Sequence, residues 1–309
     1  MTKTLAKIDF KPLVLTDKER YETYLFAGKA RGCEYSFANL YLWGEKQNIA
    51  FFEDHAILFL RYGKHTAYLY PLGIGDKKEV LDAILADARE RGINPVLSGV
   101  LPEERETLEA LYPGVFTYTA KEGSFDYVYH IDDLAELTGK KYHGKRNHLN
   151  RFKEAYPSYR AEPLEEAHFP FVRQMVERWY RERAERDLEG DYEMERMAFD
   201  GALRDYEALG LDGLVLLDGD DLLAVTVGSR LSHDTFDVHF EKACVGGAYT
   251  AINYEFSRYI REKYPEVRFL DREEDMGIEG LRRAKRSYHP HHNVIKYRAR
   301  HKEEGHEDR

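Results

Sequence analysis

The stretch Phe269 to Pro290, FLDREEDMGIEGLRRAKRSYHP, concentrates groups able to move protons and hold charge. Phe269-Leu270 reads as the end of a strand, and Asp271, Arg272, Glu273, Glu274 and Asp275 follow it without a break. Arg282, Arg283, Lys285 and Arg286 come next in a helix-like run, closed by Tyr288. In an open sheet, ligands gather outside the carboxyl ends of the strands, so a strand ending in charge is a candidate site. Asp271, Glu273 or Glu274 could anchor an amino group or accept a proton. Arg272, Arg282 and Lys285 could hold a phosphate or stabilise a developing oxyanion. Tyr288 could return a proton to a leaving oxygen. The expected catalytic set is Asp271, Glu273, Arg282 and Tyr288, converging on one cleft, with Arg272, Glu274 and Lys285 contacting substrate. For any single member a structural salt bridge is the plainer role; the cluster is more informative than its parts.

A second segment, GKKYHGKRNHLNRF at 139–152, carries Lys140, Lys141, Lys145, Arg146 and Arg151 with no acid, in a chain of net charge −10. Lys145, Arg146, Asn147 and Asn150 are donors suited to phosphate, carboxylate or an RNA backbone. The alternative is a solvated helix docked through Leu149 and Phe152. Lys145, Arg146, Arg282 and Lys285 together are expected to form a positive pocket. Glu241, at a strand end, and Asn253, on the following helix, could line the same cleft or simply pair on the surface. Between them, Gly246, Gly247 and Ala248 open a helix whose N-terminus could cradle a diphosphate, and they are the cofactor-binding candidates. A turn that merely starts a helix explains them equally well. His289, His291 and His292 read as exposed imidazoles, and no metal site is expected.

These groups need a scaffold of alternating strands and helices. A capped helix is expected over 17–27, short strands over 49–52, 56–61 and 66–70, and helices over 76–91 and from Pro102 to Leu111. The basic segment is a helix, and a longer one runs from Glu165 toward Arg186 with Phe171, Met175, Val176 and Trp179 buried. After a helix over 194–209 come three antiparallel strands, 214–217, 222–231 and 235–240, turning at Gly219-Asp220 and Ser232-His233-Asp234. A helix over 249–263, a strand over 267–271, a helix over 277–286 and a strand over 293–298 complete the series. The expected domains are 1–138, 139–300 carrying the site, and a disordered tail at 301–309, the two halves being similar in element order.

Composition narrows the class. Of 309 residues, 43% are hydrophobic and 33% charged, which suits folded domains rather than extended disorder. Tyr is abundant, at 23 residues, making aromatic packing with polar tips a main core resource. Cys33 and Cys244 stand far apart without zinc or redox spacing, which points to a reducing, cytoplasmic compartment. No segment is apolar enough to span a bilayer, and MTKTLAKIDFKPL lacks a signal-peptide core. The acidic balance disfavours DNA over the whole surface but allows a local basic site for tRNA or a lipid headgroup.

The second-half order of helix, helix, three-strand meander, helix, strand, helix, strand resembles the GNAT-like acyltransferases. The motifs GKKYHGKRNHLNRF and FLDREEDMGIEGLRRAKRSYHP resemble soluble bacterial proteins related to the C-terminal domain of phosphatidylglycerol lysyltransferase. The resemblance covers most of the chain. It implies an α/β fold of mixed sheets in two tandem GNAT-like domains. It also implies aminoacyl transfer from aminoacyl-tRNA to a lipid, a peptidoglycan precursor, or a small amine or hydroxyl acceptor. Lysyltransferases carry a membrane-embedded N-terminal region, and none is expected from this sequence, which bears on the lipid acceptor. A non-catalytic protein binding an anionic ligand or lipid headgroup is the rival. Acetyl-CoA-dependent N-acetylation is the third reading, with acyl-CoA as cofactor; there Ala243 replaces the Arg or Gln that opens the usual pyrophosphate turn.

Overall fold

The computed structural model describes residues 7–28, 30–43, 47–184 and 192–302. In chain order the first elements are β1 (Lys11–Pro12), α1 (Lys18–Ala27), α2 (Phe37–Leu42), β2 (Asn48–Phe52), β3 (His55–Tyr62), β4 (His65–Leu69), β5 (Leu72–Gly73), α3 (Lys77–Glu90), β6 (Val96–Val100), α4 (Pro102–Leu111) and β7 (Phe116–Ala120). There follow β8 (Asp126–His130), α5 (Ile131–Glu136), α6 (His143–Ala155), β9 (Arg160–Pro163), α7 (Phe169–Ala184), α8 (Glu193–Arg204), β10 (Asp212–Asp218), β11 (Asp221–Arg230) and β12 (Thr235–Ala243). The chain continues with α9 (Ala248–Lys263), β13 (Phe269–Asp271), α10 (Glu279–Arg286), β14 (His292–Val294) and β15 (Tyr297–His301).

Local chemistry accounts for most of these boundaries. Asp76 caps α3 by accepting from the Lys78 N–H at 2.8 Å. Pro102 sits at the first position of α4, where its missing N–H costs nothing. In α9, Ala248, Ala251, Ile252, Phe256 and Ile260 fall on one stripe and are buried. Burying each of the larger of these side chains contributes roughly 1.5–3 kcal/mol. Along α7, Val172, Met175 and Val176 face inward, whereas Phe171 is exposed and Trp179 half-buried. The stripe therefore runs one residue off the expected phase at Phe171.

Two mixed sheets result. The first has the order β1-β2-β3-β4-β6-β15-β7, with β5 beside β3; the second is β14-β8-β13-β12-β11-β10-β9. Each contains an antiparallel three-strand run followed by a helical crossover to a parallel neighbour: β2-β3-β4, α3, β6 in one, and β10-β11-β12, α9, β13 in the other. The repeat expected from element order is thus a repeat of topology.

The chain divides elsewhere than expected. One compact unit runs up to Phe125 and resumes at Val294; the other is Asp126–Asn293. The reason is strand membership. β8 inserts between β13 and β14 of the second sheet, and β15 between β6 and β7 of the first. His301 ends β15, and the Lys302 N–H donates to Val115 O at 2.9 Å. The remainder of the expected tail, 303–309, lies outside the described residues, as do 185 and 186 at the end of the expected long helix.

Because β15 completes the first sheet, alternation along it can be tested. Ala299 is fully buried and Arg298 exposed. Ala299→Asp should cost on the order of 3 kcal/mol or more, since a carboxylate enters the core without a partner. Arg298→Asp should stay within about 0.5 kcal/mol. Urea unfolding of both variants checks the pair; equal losses would contradict the strand assignment.

Candidate active site

The site is built within the second unit. β12 and β13 pair from Thr235–Phe269 to Asp237–Asp271, and there the pairing stops. β12 continues to Ala243, while the segment after β13 enters the charged run. This parting of parallel strands is where side chains from both can meet.

The charged run folds back on itself. Glu273, Met276 and Gly277 have positive φ (57°, 55° and 76°), so three left-handed residues make the reversal. The Asp271 carboxylate accepts from the Glu273 N–H at 2.8 Å, and Glu273 O accepts from Tyr127 N at 3.1 Å. Asp275, fully buried, accepts from Tyr127 Oη (2.7 Å), Gly277 N (2.8 Å), and Arg282 Nε (2.7 Å) and Nη2 (3.1 Å). The Lys285 ammonium donates to the carbonyls of Arg272 and Glu274. Tyr129 Oη donates to Lys285 O at 2.8 Å and Tyr142 Oη to Tyr288 O at 3.0 Å.

That reversal delivers Arg272 and Tyr288 to one polar cluster. Arg272 Nη2 donates to Glu241 Oε1 at 2.8 Å. Asn253, its amide oriented by the donor pair, accepts from Arg272 Nη1 at 3.1 Å and Nε at 3.3 Å. The guanidinium lies 5.1 Å from the Tyr288 ring centroid. Lys145 Nζ sits over the same ring, 3.5 Å from its centroid, a cation–π contact. Tyr288 Oη, 3.4 Å from Thr250 Oγ1, is turned into the first turn of α9.

The cluster's electrostatics follow from burial. Lys145 has its pKa lowered to about 8, first by burial, then by the Arg272 cation, with Glu241 opposing. Burial is the largest effect and works against the Arg272 cation too, but Glu241 with the Tyr129 and Tyr288 phenols together outweighs it and its pKa is raised. Burial raises the Tyr288 phenol. One fixed cation and one readily deprotonated amine therefore share an aromatic floor.

The expected residues separate into groups. Lys145, Arg272, Glu241, Asn253 and Tyr288 come together. Asp271, Glu273, Arg282 and Tyr288 do not converge on one cleft: Arg282 is held by Asp275, and Glu273 Oε1 lies 3.2 Å from His239 Nδ1. The expected positive pocket of Lys145, Arg146, Arg282 and Lys285 does not assemble either. Arg146 Nη1 donates to Leu137 O and Gly139 O, and Lys285 caps carbonyls. Glu274 contributes its carbonyl to that cap. Asn147 and Asn150 are exposed, Asn147 lying 3.3 Å from His143 Nε2. Gly246 is exposed and Ala248 buried. Gly247 has φ +82°, and a Cβ there would stand 3.1 Å from Phe152 Cβ and 3.2 Å from His148 O. The close approach of α6 accounts for that glycine.

Sequence reading missed Thr250, Tyr129 and Asp275 as parts of this assembly. Asp275 lay in view as the last member of the run; Tyr129 carried only the signal of a strand position.

The meander, the crossover helix and the parting parallel strands define a GNAT-like fold, and two such sheets make this a tandem GNAT-like protein. A family model described as phosphatidylglycerol lysyltransferase, C-terminal, matches residues 27–300, and the chain belongs to that family. A protein of unknown function from Bacteroides thetaiotaomicron VPI-5482 shares 37% identity over 96% of this chain and 100% of its own, with a TM-score of 0.90. L-PGS from Bacillus licheniformis is 16% identical over 98% of this chain and 95% of its own, with a TM-score of 0.68. A C-terminal domain (DUF2156) named for lysylphosphatidylglycerol synthetase, from Agrobacterium fabrum, is 14% identical over 93% and 92%, at 0.64. At those identities the last two show the fold alone. No curated protein matches the chain's sequence. Among the described residues, no helix is long and apolar enough to cross a membrane.

The Asp275 assembly sets an acid limit on stability. Its carboxyl is held at about 2, first by the Arg282 hydrogen bonds. A depressed carboxyl pKa stabilises the fold above the unfolded value near 4, and this is lost as pH falls through about 2. The shift corresponds to about 2 kcal/mol. Arg282→Ala should cost about 3 kcal/mol at neutral pH, because it leaves a buried carboxylate short of its counter-ion. Urea midpoints at pH 7 and pH 3 check both; a variant as stable as the parent would refute the assignment.

Proposed function

We propose that the chain is an acyltransferase, taking an aminoacyl group from aminoacyl-tRNA to an amine or hydroxyl acceptor. Lipid headgroups, cell-wall precursors and small molecules are the acceptor classes. The observation that carries this reading is Lys145, a half-buried amine with a pKa of about 8, placed on Tyr288 beside Arg272. Membership of the phosphatidylglycerol lysyltransferase C-terminal family supports the same class of reaction.

An aminoacyl ester is already activated, so the protein must position the reactants, stabilise the oxyanion and handle one proton. The acceptor nitrogen or oxygen bonds to the ester carbonyl carbon. The C–O bond to the ribose then breaks, and its electron pair stays on the ribose oxygen, which takes up a proton. Arg272, immobilised by Glu241 and Asn253, offers fixed positive charge to the oxyanion. Neutral Lys145 accepts the acceptor's proton and can return it to the leaving oxygen. Tyr288 works through its ring, which seats Lys145; its hydroxyl is engaged with Thr250. Acyl-CoA is the weaker donor reading, because the packing of α6 already explains Gly247.

Purified chain, radiolabelled aminoacyl-tRNA and separate acceptor pools test the reaction. Transfer should rise with pH and level off above about 8, as Lys145 loses its proton. Lys145→Met should lower kcat at least about 100-fold. A pH-independent rate, or an unimpaired Lys145→Met protein, would sink the base assignment. No transfer to any pool would favour the anionic-ligand binder.

Tyr288 supplies a second check. Tyr288→Phe keeps the ring and should retain activity within about threefold. Tyr288→Leu removes the cation–π floor, worth about 1 kcal/mol to the charged amine, and should lower the Lys145-dependent pH midpoint or reduce turnover by about tenfold. If Tyr288→Phe is the more damaging, the hydroxyl carries the proton after all.

A further inference from the structure

A second polar group lies at the same parting of β12 and β13, and the acyl-transfer reading makes no use of it. We propose that Asp237, His239 and Glu273 bind a first-row divalent cation, Zn2+ in preference to Mn2+. The proposal stands independently of acyl transfer.

The geometry starts in the backbone. Val227 pairs with Phe240 and Gly228 with Val238, so β12 carries a bulge at His239. Without it, alternation would set positions 237, 239 and 241 on one face. Phe236 packs on Phe256 of α9, so Asp237 points to the other face. Beyond the bulge Glu241 turns to the α9 side, where it meets Arg272 and, through it, Asn253. The irregularity thus leaves Asp237 and His239 together and sends Glu241 away. Glu273 reaches them from the segment after β13 with a left-handed backbone, φ 57°. Two separate departures from regular structure converge on one histidine, the pattern found where backbone strain serves a site.

The ligand atoms are spaced for an ion. His239 Nδ1 lies 3.2 Å from Glu273 Oε1 and 3.5 Å from Asp237 Oδ2. Ligand atoms from all three residues fall within 4.8 Å of one another. A tetrahedral site with bonds of about 2.1 Å has ligand–ligand edges of about 3.4 Å, which the two histidine distances bracket. His239 Nε2, on the far side of the ring, is 2.8 Å from Ser229 Oγ, and Ser229 pairs with Asp237 across the sheet. An outer hydrogen bond of this kind fixes the tautomer and aims the other ring nitrogen at the metal. The Asp237 and His239 side chains are fully buried and Glu273 is 22% exposed, so the solvent side of the site is at Glu273. One imidazole with two carboxylates suits Zn2+ or Mn2+ better than Ca2+ or Mg2+, which favour all-oxygen sets.

The test uses the full chain, stripped with chelator and titrated calorimetrically with ZnCl2, MnCl2 and MgCl2. One Zn2+ should bind per chain, more tightly than Mn2+, with no measurable heat from Mg2+. His239→Ala and Glu273→Gln should each weaken Zn2+ at least about 100-fold, and Ser229→Ala about 10–100-fold. Near-UV circular dichroism reports whether each variant folds; Glu273→Gln, isosteric and partly exposed, serves if His239→Ala does not. The adjacent His291 and His292 are the rival imidazoles, their Nδ1 atoms 2.8 Å apart. The double variant His291→Ala/His292→Ala should bind Zn2+ unchanged. The proposal is overturned if the parent binds no stoichiometric Zn2+, if Glu273→Gln binds as the parent does, or if the double variant abolishes binding.

Discussion

The buried carboxylate of Asp275 is the constraint on which the site depends. A chain leaving β13 with five charged residues would ordinarily run into solvent. Here Asp271 and Asp275 both go inward, and Asp275 is tolerated there because Tyr127, Gly277 and Arg282 supply hydrogen bonds and countercharge. That inward turn reverses the chain into α10, and α10 carries Tyr288 back beside Arg272. Lys285 closes the loop by capping two of its carbonyls. The site's geometry is thus set by a carboxylate that does no chemistry in it.

The fate of the cations illustrates how little composition says about a pocket. Arg146, Lys285 and Arg282 looked alike as anion ligands. Each instead satisfies a backbone carbonyl or a carboxylate nearby, because a buried acceptor left unmet costs about 1–3 kcal/mol. Lys145 and Arg272 differ in being placed by other elements against an aromatic ring. Arg272 is locked by Glu241 and Asn253, whereas the charge of Lys145 is destabilised by burial and by the neighbouring Arg272. A basic island in an acidic chain was a sound pointer to the region and a poor guide to the members.

The tyrosines do a related job. Tyr127, Tyr129 and Tyr142 each place a ring in the core and a hydroxyl on the 275–288 segment. They fasten an irregular segment without leaving polar atoms unmet. Such a use of Tyr needs an apolar body and one hydrogen bond at its tip, and Phe could supply only the first.

Much of the second unit was legible along the chain. The meander over 212–243, the crossover helix from Ala248 and the strand before the charged run all carry local period and turn chemistry. So do the capped helices of the first unit. Tertiary structure alone decided three things. β8 and β15 complete sheets away from the boundary expected at 138, because strand partnership is a hydrogen-bonding choice made across the fold. The phase of α7 puts Val172 rather than Phe171 inward, because the facing surface selects the stripe. The division of the charged run, with Asp275 on Arg282, Glu273 on His239 and Arg272 on Glu241, depends on a bulge and three left-handed residues. Sequence specifies side-chain chemistry and local period; which carboxylate meets which cation is settled by distances that exist only once the strands have parted.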